Sequence, residues 1–235
     1  LGLRVTSEIL PKLTTDMKIN YIRDDFANVL DGGEGYTNPM RYLYILPRNI
    51  RTEDVAHYQF TNASGQNRQH YWIPRFNGGG NPYWTINNIT APQLRERVTG
   101  LVSLKYQITK DLSILGRSAL DRTNVSRDNF RYVDTYTTAN GGQYIKTFNT
   151  GYEWNSDFLA NYNKAVSSNI TLDLNFGGNV RKTKFEQLQG SGVNFNIENL
   201  FALGNTADPR PSESYSEKEV QSIYGFGSLG FFNAL

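Results

Sequence analysis

Residues 169–182 read NITLDLNFGGNVRK, and polarity alternates along them. Ile170, Leu172, Leu174, Phe176 and Val180 share one parity, while Thr171, Asp173, Asn175, Asn179 and Arg181 share the other. Successive side chains of a strand point to opposite faces, so this predicts a ribbon with one apolar and one polar side. Six more segments read the same way: 1–9, 14–23, 95–107, 112–122, 152–162 and 221–232. In the first, Leu1, Leu3, Val5 and Ile9 oppose Arg4, Thr6 and Glu8. Leu159 interrupts the polar side of 152–162. The last ribbon has no separable faces, because Tyr224 and Phe226 compete with Ile223, Leu229 and Phe231. Helical periodicity is weak throughout, and PSESYSEKEV (211–220) is expected as a polar loop rather than a helical turn.

The connections carry the next step. Pro11-Lys12, Thr109-Lys110-Asp111 and the polar break 163–169 are short, whereas about 24–94, 123–151 and 186–219 are long. Short and long therefore alternate along the chain, as the two rims of an up-and-down membrane barrel require. A soluble sandwich has no reason to sort loop length by parity, and long irregular loops are uncommon in compact domains. Asn140-Gly141-Gly142 is a turn signal, so the strands beside it are able to continue outward as a long hairpin. The expected fold is all-β: an antiparallel up-and-down transmembrane β-barrel, partial, with seven strands of a larger ring. An open sheet in lipid leaves edge groups unpaired, so the remaining strands are expected elsewhere in a longer polypeptide. The first residues, LGLRVTSEIL, do not show a leader pattern.

Aromatic placement agrees. Trp154 opens one expected strand, and Tyr106 and Tyr162 each close one. Trp154 to Tyr162 spans about 26 Å at roughly 3.3 Å per residue. Tilted by about 40°, that is roughly 20 Å of height, near the apolar band between aromatic girdles. Tyr and Trp suit such rims because one end of each ring is apolar and the other bonds to water.

Composition sharpens this reading. Only 38% of residues are hydrophobic, and the mean hydropathy is −0.53, which is lean for one large soluble core. The 15 Tyr, 13 Phe and 21 Gly against 2 Met suit β structure with tight bends. The 24 Lys+Arg against 22 Asp+Glu leave a net charge of +2, which gives no support for nucleic-acid binding. With 0 Cys, disulfides and thiolate metal sites are excluded. No apolar run is long enough for a membrane helix.

No catalytic set is seen, so an enzyme is not expected, and no cofactor is implied. His57 and His70 lack metal-ligand spacing and read as surface residues. Asp24, Asp25, Asp31 and Glu34 cluster near Gly32-Gly33, but their order does not match a calcium loop. NGGGNP (77–82) lacks the Lys and hydroxyl of a phosphate loop and reads as a turn that does not open a helix. The first long loop carries Tyr36, Tyr42, Tyr44, Tyr58, Tyr71, Trp72, Tyr83 and Trp84. Of these, Tyr42, Tyr44, Trp72, Tyr83 and Trp84 are candidates for ligand or lid contact, although packing of the loops on each other is the favoured role. The sequons at Asn62, Asn88, Asn124 and Asn169 are read as chance matches. Arg97, Lys105, Arg117, Asp157, Asp173, Asn175, Asn179 and Arg181 are expected to face the lumen, touching a plug or lining a substrate path. Their mixed signs fit plug contact better than ion selectivity.

The segment NPYWTINN (81–88) and the following ribbon RVTGLVSLKYQITKDLSILGR (97–117) resemble the SusC/RagA-like TonB-dependent transporters of the Bacteroidota outer membrane. YILPRNIRTEDV (44–55), LRVTSEILPKLTTDMKINYI (3–22) and QSIYGFGSLGFF (221–232) are similar to further segments of that family. The resemblance implies a plugged barrel of about 22 strands at the cell outer membrane, in contact with its lipid. It also implies uptake of oligosaccharides or peptides, with a SusD-like lipoprotein as lid. Energy would come from the TonB complex through a plug and an N-terminal segment that this chain does not contain. The alternatives are a non-transporting structural or adhesive barrel and a soluble carbohydrate-binding sandwich.

Overall fold

A computed structural model describes residues 1–29, 32–33, 35, 37–71, 80–135 and 141–231. Seven long strands follow one another in an antiparallel meander: β1 (Gly2–Leu10), β2 (Leu13–Phe26), β6 (Gln93–Gln107), β7 (Leu112–Arg131), β8 (Gln143–Ser167), β9 (Ile170–Val193) and β10 (Arg210–Phe231). Between β2 and β6 lie helices α1 (Pro39–Ile45) and α2 (Thr52–Ala56), the small hairpin β3 (Gln59–Thr61) and β4 (Asn67–Gln69), helix α3 (Pro82–Asn88), and β5 (Ile89–Thr90), which pairs with β7. The sheet does not close on itself, and β1 and β10 are its edges. The fold is an all-β partial barrel wall.

All seven expected strands are present, and several run far past their expected ends. β7 continues to Arg131, β8 begins at Gln143 rather than at residue 152, and β9 runs to Val193. The outward hairpin expected around Gly141-Gly142 is formed; Gly142 has φ +81°, while Asn140 lies outside the described residues. Two expected long loops shrink accordingly, from 123–151 to 132–142 and from 186–219 to 194–209, and the break at 163–169 contracts to 168–169. PSESYSEKEV is a strand, not a loop, paired residue by residue with β9 from Arg210↔Ser191 onward. The backbone ladder sustains these extensions where both faces are wet and no apolar parity marks them.

Register fixes the faces. Leu3, Met17, Ile19, Val102, Leu104, Ile114, Leu120, Phe158, Leu174 and Phe176 all fall on one side of the sheet. In β10, Ile223, Leu229 and Phe231 join that side, opposite Gly178, Leu172 and Ile170. Tyr224 and Phe226 take the other side, which separates the two faces the sequence left merged.

The apolar band does not run along the rows of paired residues. On β2 its upper limit is Tyr21, followed by Arg23. Traced through the ladder, Tyr21 leads to Val98, Arg122, Tyr152, Lys184 and finally Glu217. On β10 the band begins only at Ile223, six residues further down the strand. Its lower limit moves equally: Leu13 leads to Gly225, six residues short of Phe231. At about 3.3 Å per residue and about 4.8 Å between strands, six residues over five strand steps is a slope of about 40°. Closed barrels tilt their strands by about that angle.

On the opposite, polar face, Gly177 is closely packed. A Cβ there would lie 2.7 Å from the Phe158 carbonyl oxygen and 2.7 Å from the Tyr224 ring. Nothing lies within 4 Å of a Cβ built on Gly116. Gly177→Val is therefore expected to destabilise by about 1–3 kcal/mol through overpacking. Gly116→Val is expected to be neutral or mildly stabilising. Denaturant midpoints at unchanged slope measure the difference.

Candidate functional site

Two features of the sheet bear chemistry: its polar face, and the three excursions that leave one end. All eight residues expected toward a lumen share the polar face. Arg117, Asp157 and Asn179 occupy one row, Asn161 pairs Asn175, and Asn155 pairs Arg181. Arg117 Nε donates to Asp157 Oδ1 at 2.9 Å, and Arg97 Nε donates to Asp121 Oδ1 at 3.0 Å. Asp173 accepts from Asn163 Nδ2 at 2.9 Å, from Asn161 Nδ2 at 3.2 Å and from Asn175. Asn179 donates to Asn155 and, at 3.3 Å, to the Ser156 carbonyl. Lys105 and Arg181 form no ion pair among the described residues. Exposed pairs of this kind contribute little to stability, because solvent screens them. What they do is tie polar side chains to one another across neighbouring strands.

The excursions 27–92, 132–142 and 194–209 all leave one end of the sheet, because the strands alternate in direction. The short turns 11–12, 108–111 and 168–169 lie at the other. Each helix of the first excursion that carries a side-chain cap starts the same way. Asn38 caps α1 by accepting from Met40 N at 3.0 Å, and Asn81 caps α3 by accepting from Tyr83 N at 2.9 Å, each with Pro at the following position. A short polar side chain satisfies an orphan donor there, and Pro pre-sets the first helical φ. Asn81 and Pro82 therefore do open a helix, contrary to the turn expected for 77–82; residues 77–79 lie outside the described residues.

Asn81 is fully buried and does more than cap. Its Nδ2 donates to the Val55 carbonyl at 2.9 Å and the His70 carbonyl at 3.3 Å, and its own N–H donates to Gln69 Oε1 at 2.8 Å. Gln69 then ties the first excursion to the second: its N–H donates to Asp134 Oδ2 at 2.6 Å, and its Nε2 to the Asp134 carbonyl at 3.1 Å. Tyr71 O–H also donates to the Asp134 carbonyl. Asp134 has φ +71°, a conformation an Asp tolerates better than most residues. Asn199 Oδ1 accepts from Val133 N at 2.9 Å, which joins the third excursion to the second. Glu198 joins the third to the first, through Arg68 at 2.7 Å and Gln66 at 2.8 Å, and this contact raises the Arg68 pKa. Below them Phe201 meets Phe130, Tyr132, Tyr144 and Phe195 edge-on at 4.9–6.3 Å. Burial, then a hydrogen bond to Asp128, push the Tyr144 phenol well above its ordinary value.

The loop aromatics divide. Trp84 is buried and its Nε1 donates to Thr135 Oγ1 at 3.0 Å. Tyr42 is buried against Gly80, where a Cβ would sit 2.5 Å from its ring. Tyr83 is half-buried, Tyr44 is 80% exposed, and Trp72 and Tyr36 lie outside the described residues. His57 and His70 are exposed, with His70 Nδ1 3.0 Å from the His57 carbonyl oxygen. Asp24 pairs with Arg95 at 2.6 Å, and its neighbour Asp25 points to the opposite face; Asp31 and Glu34 lie outside the described residues. No group of three metal-ligating side chains converges among the described residues. The interlocking residues Gln69, Asp134 and Glu198 carried no signal in the sequence, whereas the two Asn-Pro caps did.

No protein-family model matches this sequence, and no curated protein matches it. Solved structures do. A structure of the RagAB peptide transporter superposes on 98% of this chain at TM-score 0.70 and 12% identity. The RagAB peptide importer in its 'closed-closed' state gives 0.73 at 14% over 99%, and in its 'open-open' state 0.73 at 14% over 98%. The likeness is one of fold. The chain spans about a quarter of the length of these neighbours, 25–26%.

Asn81→Ala removes a cap and takes a donor from the buried Val55 carbonyl, a cost of about 2–3 kcal/mol. Hydrogen exchange should accelerate across 38–71 and 80–92 while β7 to β9 keep their protection.

Proposed function

We propose that this chain is a length of the wall of a TonB-dependent outer-membrane transporter, with its three excursions on the extracellular side. The oblique apolar band carries this reading. A slab of hydrocarbon has constant height, so strands tilted within it must show an apolar stretch that slips steadily from strand to strand. The observed slip of about 40° fits a barrel wall, and about nine residues per strand fit the bilayer core. No second sheet covers the band among the described residues. Trp154, Tyr106 and Tyr162 stand at its limits and suit the headgroup level. Beyond the band both faces are charged, as in Lys182 with Glu219 at 2.8 Å, which suits strands standing clear of the lipid.

In this reading the polar face lines a lumen and the Arg–Asp and Asn networks contact a plug. Edges β1 and β10 meet further strands of a ring of about 22. The likeness to a peptide transporter and importer favours peptides over oligosaccharides as the solute. A SusD-like lipoprotein would close over the interlocked excursions, and the TonB complex would supply energy through a plug outside this chain.

The test compares two neighbours in β9 in the full-length protein folded from phospholipid. Leu174→Arg, on the apolar face at mid-band, is expected to cost about 2–4 kcal/mol. Asn175→Arg, on the polar face, is expected to cost well under half of that. Equal penalties would overturn the membrane assignment. For transport itself, uptake of labelled peptide by cells should stop when the proton gradient is collapsed, and persistence would indicate a passive pore.

A further inference from the structure

On the polar side of β6 and β7, arginines further down the strands come with carboxylates: Arg95 with Asp24, Arg97 with Asp121, and Arg117 with Asp157. At the end from which the excursions leave, this stops. Gln93, Arg127, Thr147 and Gln189 form one row across β6 to β9. With Asn129, Asn149 and Gln187 beside them they line a cleft of about 330 Å³, and Arg131 sits at its upper edge. No carboxylate is among its lining residues.

Arg127 is the centre of it. One Nη2 hydrogen goes to the Val29 carbonyl at 2.6 Å, which fixes the guanidinium from one side. Its Nε is buried without a partner, and Arg127 makes no ion pair among the described residues. A guanidinium offers five donors in a fixed fork that matches a carboxylate. Leaving a buried donor unmade is costly, so an arriving anion that turns the fork would recover that cost. The surrounding carboxamides both donate and accept, which suits a polar, neutral body attached to one acidic group.

We infer that this cleft is a carboxylate-binding subsite, with Arg127 as the anion-binding residue and the Gln/Asn wall holding the polar groups next to the acid. It rests on the transporter reading, since only a solute path brings ligands to this face. The acid could belong to a peptide terminus or to a uronic acid sugar; the chemistry Arg127 recognises is the same.

Titration calorimetry on the full-length protein in detergent tests it with two pairs of probes: triglycine against triglycine amide, and digalacturonic acid against its methyl ester. At least one acid should bind about tenfold or more tightly than its neutral partner, the scale of a charge-assisted hydrogen bond. The pair that shows the preference identifies the source of the acid. Arg127→Gln should abolish the preference, and Arg127→Lys should keep part of it, because charge remains while the fork is lost. Unchanged heat-dependent gel mobility would show that the variants fold. Equal binding of acid and neutral partner, a preference that survives in Arg127→Gln, or no saturable binding of either acid at millimolar concentration would each overturn the subsite. The transporter reading fails separately, on equal penalties at Leu174 and Asn175.

Discussion

A strand paired on both sides keeps a single freedom, its register, and in this sheet register decides everything above it. A slip of one residue would carry Leu172, Leu174 and Phe176 to the polar face and Asp173 and Asn175 to the apolar one. Each strand therefore constrains the next, and the six-residue drift of the apolar band is the sum of choices made strand by strand. Packing at Gly177 helps to pin one of those choices. Tyr224 and the Phe158 backbone crowd a site where a Cβ would force a shift, so a glycine suits β9 at the height where it meets them.

Parity is why so much of the architecture was legible. Wherever one face is apolar, a period of two is written directly into residues such as Ile170, Leu172 and Leu174, and all seven strands could be found from it. Legibility ended where the apolar face did. Arg122 and Tyr152, or Lys184 and Glu217, lie on the same face as Leu120 and Ile223 but above the band, and alternation between two wet faces leaves no trace. In β10 the two faces merged for a different reason. Gly225 and Gly227 take apolar-side positions without contributing apolar atoms, while Tyr224 and Phe226 supply aromatic surface on the polar side.

The excursions follow another rule. Their order comes from polar contacts between residues more than sixty apart in sequence, such as Gln69 with Asp134 and Arg68 with Glu198. No local pattern encodes such pairs. Only the Asn-Pro starts of α1 and α3 leave a local signal, because capping is local, and 77–82 was expected as a turn that opens no helix. The same contrast holds for the site: the polar row could be assigned to one face from parity, whereas the cleft at Arg127 depends on which rows align across four strands.

Interlocking the excursions has a consequence for that cleft. Arg127 lies in β7 four residues before the end of the strand, and its Nη2 anchor is the carbonyl of Val29, in the first excursion. Val29 N in turn donates to the Ala91 carbonyl at 2.8 Å, Asn28 Oδ1 accepts from Ala91 N at 2.8 Å, and β5 is zipped to β7 at Ile89↔Arg131. The root of the first excursion is thus bolted to the same strand that carries the guanidinium. A movement of the excursions that shifted Val29 would release or tighten the Arg127 fork through one hydrogen bond. In the proposed subsite that contact would link loop position to anion affinity, and such a link acts in both directions: an anion held by Arg127 would bias the root of the first excursion as strongly as the excursion biases the anion.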